Sequence, residues 1–229
     1  MSETPGARDA SQLEPTPIVF AISQWEPDVS LTVFDQVFHV HSAVLKLKSV
    51  FFRKFLDSPD KVPAATRARF KYEWVSKLDE YATGWHLVCS SGVEREDKME
   101  YQYIEWIDTE MKAFHVLLRA MYGWSFAVDS LPAFHAALQL ADYYCALPAF
   151  SAGLRGAFDS SPLLVEAIFM NPFYMLKKAV QLRNAAMYRE CLILAMGPWS
   201  RQQSKHTHTE YKHGSLEKLV ASACDKIGR

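Results

Sequence analysis

The sequence predicts an α+β fold: a small sheet covered by a cluster of helices, followed by an all-helical C-terminal extension. Three observations carry that expectation. Apolar and polar residues alternate between Val29 and His41, the period of half-buried strands. Beyond Asp108, apolar residues recur every three to four positions behind Asp, Ser or Pro, as in capped amphipathic helices. Finally, 49% of the 229 residues are apolar and 13% aromatic, so core burial can offset the entropy of ordering most of the chain.

The elements follow in order. Residues 1–17 are rich in Ser, Thr, Pro, Glu and Asp without an apolar period, and are expected to form a disordered arm. Val29–Val33 and Val37–His41 flank a turn at Asp35-Gln36 and read as a β-hairpin. Ser42–Lys48 shifts to helical spacing, and Ser49 can cap a second short helix bearing Val50, Phe51, Phe52 and Phe55. After Ser58-Pro59-Asp60 and a basic connector, Phe70–Val75 and Trp85–Cys89 read as strands on either side of the polar run Ser76–Gly84. Tyr101–Ile107 alternates once more and predicts a further strand.

Asp108 is then the expected N-cap of a helix with Met111, Phe114, Leu117, Leu118 and Met121 on one face, closed at Tyr122-Gly123-Trp124. Ser130 with Pro132 opens another, and a third runs from Pro148 to Phe158. Ser161-Pro162 and Asn171-Pro172 open a short and a long helix, the long one stopping at Gly197-Pro198. Past a histidine-bearing loop, Ser215 can cap a last helix with Leu216, Leu219, Val220, Ala223, Cys224 and Ile227 on one face.

Composition narrows the function. Lys and Arg total 25 against 26 for Asp and Glu, so no net field draws nucleic-acid phosphates or an anionic membrane. Cys89, Cys145, Cys191 and Cys224 form no CxxC pair and are expected to be reduced, buried thiols. Without a leader-like start or a long apolar run, the expected location is the cytosol or nucleus. No phosphate-cradling glycine loop, nucleophile elbow or HExxH motif occurs. Glu94, Glu96, Asp97 and Glu100 read as a solvated acidic face. Phe169, Phe173, Tyr174, Met175, Met187 and Tyr188 could line a partner groove, although their helical spacing equally suits a core. His206, His208 and His213 could bind zinc if they met in space, which defines the alternative function, a small metal-dependent hydrolase. No cofactor is expected otherwise.

Three segments together carry a family resemblance: Asp28–Val33, Phe38–Leu45 with its Phe-x-Val-His, and Ser49–Phe55 with its Ser-x-Phe-Phe. Their order and spacing resemble the opening of BTB/POZ domains. Ile104–Asp108, Phe114–Tyr122 and Leu138–Tyr144 look like later family elements, and the chain is most similar to fungal members. The resemblance implies a BTB/POZ domain over 18–158 with an insertion at about 59–100, then a helical extension over 159–229. It further implies a non-enzymatic protein-interaction module that homodimerises or recruits partners. One such role is that of substrate adaptor for a cullin-type ubiquitin ligase, for which Leu78-Asp79-Glu80 is the nearest hydrophobic-x-Glu element. The expected interaction residues are Asp28, His41, Phe51, Phe52, Phe55, Leu78 and Glu80. Asp28 is expected to hold backbone donors or a cation at the strand entrance, and His41 to cap or bridge buried polar groups.

Overall fold

In a computed structural model the chain is mixed α+β, with a five-stranded sheet and eight helices among the described residues, which are 16–58, 69–80, 84–90 and 104–196. The strands are β1 (Ile18–Val19), β2 (Val29–Val33), β3 (Gln36–Val40), β4 (Tyr72–Leu78) and β5 (Trp85–Cys89). The helices are α1 (Ser42–Lys48), α2 (Val50–Phe55), α3 (Ile104–Tyr122), α4 (Leu131–Tyr143), α5 (Leu147–Ser160), α6 (Pro162–Met170), α7 (Pro172–Gln181) and α8 (Ala185–Met196). Two compact units divide them: residues 1–46 with 52–102, and residues 47–51 with 103–229.

The first unit holds the sheet, in strand order β1-β3-β2-β4-β5. The expected hairpin forms, with Val29 opposite Val40 and Val33 opposite Gln36. Its turn is Phe34-Asp35 rather than Asp35-Gln36, because Phe34 adopts φ 52°. That left-handed backbone costs a bulky residue about 1–2 kcal/mol. Two contacts offset it: the Phe34 N–H donates to Ser76 Oγ (2.8 Å), and the ring lies edge-on to Trp85 at 5.4 Å. β2 also pairs in parallel with β4, and β4 antiparallel with β5. The pleat sends Val29, Leu31 and Val33 to one buried face, with Tyr72 and Trp74 following the same alternation. Phe52 is fully buried against Trp74, their ring centroids 6.1 Å apart. The sequence pattern gave no sign of β1, a two-residue strand parallel to β3.

The second unit is helical. Ser130 caps α4 as its sequence predicts, its hydroxyl accepting from Ala133 N–H at 3.1 Å. Gly123, at φ 68°, ends α3. Phe114 and Phe134 are completely buried, and Phe126 stacks on Phe150.

Two expectations fail here. Tyr101–Ile107 is not a strand where described: α3 already begins at Ile104, so Asp108 lies inside the helix instead of capping it. Ile107 joins the buried stripe of Phe114, Leu117, Leu118 and Met121, and over so few residues both periods fit the sequence. The expected long helix after Asn171 is two, α7 and α8, broken at Arg183 with φ 51° and restarted by Asn184, whose Oδ1 accepts from Met187 N–H at 2.9 Å. The arm through residue 15, the acidic run, the histidine cluster and the expected last helix fall outside the described residues.

Candidate functional site

Asp28 precedes β2, and His41 and Ser42 form the junction between β3 and α1. The Asp28 carboxylate accepts from Ser42 N–H at one oxygen (2.7 Å) and from the Ser42 hydroxyl at the other (2.6 Å). Its own carbonyl accepts from Lys71 N–H at 2.9 Å and Tyr72 N–H at 3.2 Å. One residue thus ties the start of β2, the approach to β4 and the first turn of α1. The Asp28 side chain is a clasp on one backbone N–H and one hydroxyl, both of Ser42. Charge-assisted hydrogen bonds of this kind are short and stronger than neutral ones.

His41 is buried beside this clasp. Its Nε2 lies 3.2 Å from the Trp25 carbonyl, which can only accept, so that nitrogen carries a proton. The imidazole stacks on the Trp25 indole with centroids 5.9 Å apart, and the His41 carbonyl receives Val44 and Leu45 N–H at the start of α1. Asp28 and His41 are therefore brought together, through Ser42, as a structural junction.

A second polar cluster joins Lys46, Asp57 and Tyr72. Lys46 Nζ donates to Asp57 (2.6 Å) and to the Tyr72 hydroxyl (3.3 Å), and that hydroxyl donates to Asp57. Desolvation alone would lower the Lys46 pKa, but its bonds to Asp57 and Tyr72 prevail and raise it. The same Lys46 and Tyr72 donors hold the Asp57 carboxyl below its ordinary value. Opposite charges already satisfy each other here, so the cluster fastens the end of α2 to β4. Nothing in the sequence singled out these three residues, which lie 11 to 26 positions apart.

The remaining expected residues separate by environment. Phe52 belongs to the core, so it offers nothing to a partner. Phe55 is half-buried with Lys54 Nζ over its ring at 5.3 Å. Leu78 ends β4 and is half-buried, Glu80 is exposed, and Asp79 between them pairs with His86 Nδ1 at 3.0 Å. Leu78 lies six positions along β4 from Tyr72, about 20 Å at ~3.3 Å per residue, so this element stands apart from the Asp28 clasp.

Phe51 belongs to the short segment that the second unit takes from the α1–α2 region. Its half-buried ring meets Tyr143 and Tyr144 at 5.7 and 5.1 Å. Ser49 is completely buried, and its hydroxyl donates to the Tyr144 carbonyl at 2.5 Å. Val50 N–H donates to the Cys145 carbonyl at 3.5 Å. While the backbone of this segment is held, its apolar side chains face outward: Leu47 is 69% exposed and Val50 58%, and Tyr143 opposite is also exposed. The sequence placed Val50 among apolar helix positions without distinguishing inside from outside. Val50-Phe51-Phe52 are consecutive, and one face of a helix cannot bury three in a row.

The expectation of buried thiols holds only for Cys191: Cys145 is exposed and Cys89 half-buried, with Cys224 outside the described residues. Among the described residues no helix is long and apolar enough to cross a membrane.

No model of a known protein family matches the chain, and no curated protein matches it in sequence.

Proposed function

We propose that the chain is a protein–protein interaction module of the BTB/POZ type, acting without catalysis, and that it pairs with a second copy of itself through its first helices. The observation that carries this reading is the contrast within residues 47–51. Ser49 and the Val50 N–H are bonded inward to the end of α4, while Leu47 and Val50 spend their apolar surface on solvent. Isolated exposed apolar residues are ordinary on proteins. A contiguous set on a rigidly held segment is the usual core of an association surface. Supporting the family reading, the residues of the opening signature serve as fold determinants: Asp28 clasps Ser42, His41 holds the Trp25 carbonyl, and Phe52 fills the sheet's core.

Within this class, recruitment to a cullin-type ubiquitin ligase is the specific role that the Leu78-Asp79-Glu80 element would serve, and the cytosol or nucleus is where such an adaptor works. Light scattering coupled to size exclusion tests the pairing. The expected result is a dimer at tens of micromolar that Leu47→Glu with Val50→Glu converts to a folded monomer; a strictly monomeric wild-type chain refutes it. Absence of any cullin from an affinity capture in which Glu80→Ala serves as control removes the ligase role alone.

A further inference from the structure

α6 poses a packing problem that lies outside the pairing surface. Its sequence, Pro-Leu-Leu-Val-Glu-Ala-Ile-Phe-Met, has one charged residue in nine. A helix apolar on every side is normally buried on every side. Yet only Leu164 and Ile168 face the interior, while Leu163, Val165, Phe169 and Met170 are each about half exposed or more. At helical spacing, Pro162, Val165 and Phe169 form one outward strip, with Leu163 and Met170 on the far side of Glu166.

We infer that this outer face is covered by the chain's own segment from Ser215 to Ile227, docked as the amphipathic helix its sequence predicts. Three facts favour that occupant. Its apolar residues, Leu216, Leu219, Val220, Ala223, Cys224 and Ile227, repeat at the i, i+3, i+4, i+7 spacing of a helix that needs one apolar surface to lie on. Lys226 borders that stripe on one side and Glu217 on the other, so one of the two orientations of the docked helix sets a cation toward Glu166, the single charge in the middle of the exposed face. The described chain leaves from α8, which packs against α6, and the twenty residues from Met196 to Leu216 span up to about 65 Å, so reach imposes no limit.

The native thiol of Cys224 makes the inference testable in the full chain. In a Cys145→Ser background, Leu163, Val165, Phe169 and Met170 are each replaced singly by Cys, and the proteins are oxidised mildly. Disulfides require Cβ atoms within about 4.5 Å, so a docked segment cross-links far faster at the positions it lies on than at the others, whereas an undocked tail would react slowly and alike at all four. The expected result is a reducible, faster-migrating monomer band that forms readily at some of the four positions and not at others, lost when Cys224→Ser is added; equal rates at all four would overturn the inference. Disulfide-linked dimers would show that a second copy covers α6 and overturn the inference, as would the absence of a Cys224-dependent disulfide at all four positions. Independently of cross-linking, Leu219→Asp with Val220→Asp should increase binding of an apolar dye and lower the melting temperature. Unchanged dye binding in that folded variant also overturns it.

Discussion

The Asp28 carboxylate takes two hydrogen bonds from a single residue, so it responds differently to two substitutions. Asp28→Ala leaves the Ser42 N–H and hydroxyl unpartnered in a half-buried setting and is expected to cost about 2–3 kcal/mol. Asp28→Asn keeps the shape and one acceptor and is expected to cost about half as much. Urea unfolding measures both, and equal losses would mean that the carboxylate itself, and not its shape or a single acceptor, makes the clasp. Three histidines contribute to the acid side of stability. Burial, then Arg69, lowers the pKa of His39; burial, then Arg119, that of His115; and burial, then Lys178, that of His135, all from 6.5. Each therefore binds its proton less readily in the folded chain than in the unfolded one. Their contribution is complete above pH 6.5 and is lost as pH falls toward the lower folded values. Unfolding midpoints should drop on going from neutral to mildly acidic solution, and His115→Gln should flatten that dependence. Thiols separate in the same way: burial pushes Cys191 up to about 12, so maleimide should label exposed Cys145 well before Cys191. Mass spectrometry of the labelled peptides gives the order.

Two glycines in α5 make opposite predictions. A Cβ at Gly153 would stand 2.5 Å from Phe126 Cε1, on a ring already stacked against Phe150, so Gly153→Ala should destabilise by about 1–3 kcal/mol. Gly156 has open space, and Gly156→Ala should stabilise the helix by about 0.5–1 kcal/mol. Thermal melts read both signs. Legibility at this scale depended on how local each signal was. The β2–β3 hairpin and β5 were plain because their alternation is complete within a few residues, although the hairpin turn fell one residue earlier than its sequence suggested. The start of α3 was misread because Tyr101–Ile107 is too short to separate a period of two from one of 3.6. The α7–α8 break carries no Gly or Pro; its one local sign was Asn184, a favoured N-cap. β1 could not be foreseen, since its partner β3 lies twenty residues further on.

For the molecule as a whole, function was less legible than fold because exposure is a tertiary property. Asp28 and His41 were marked by the family resemblance of the segments from Asp28 to Leu45, and polar groups that become buried demand partners. Ser42, the partner of Asp28, is defined only once β2, β3 and α1 have converged. The outward direction of Leu47 and Val50 is equally invisible in a sequence where apolar means core by default. The pairing prediction belongs here: it asks two side chains to decide the mass of the particle, with folding left intact as judged by circular dichroism.

The division into units gives the order of synthesis a consequence. Residues 47–51 belong with a unit whose other part begins at 103, and the Ser49 hydroxyl closes on a carbonyl 95 residues downstream. During translation at about 5–20 residues per second, Ser49, Val50 and Phe51 wait roughly 5–20 seconds for Tyr143 to Cys145 to be made. Throughout that interval the Phe51 ring lacks the two tyrosine rings that half-bury it in the finished fold, and the Ser49 hydroxyl lacks its acceptor.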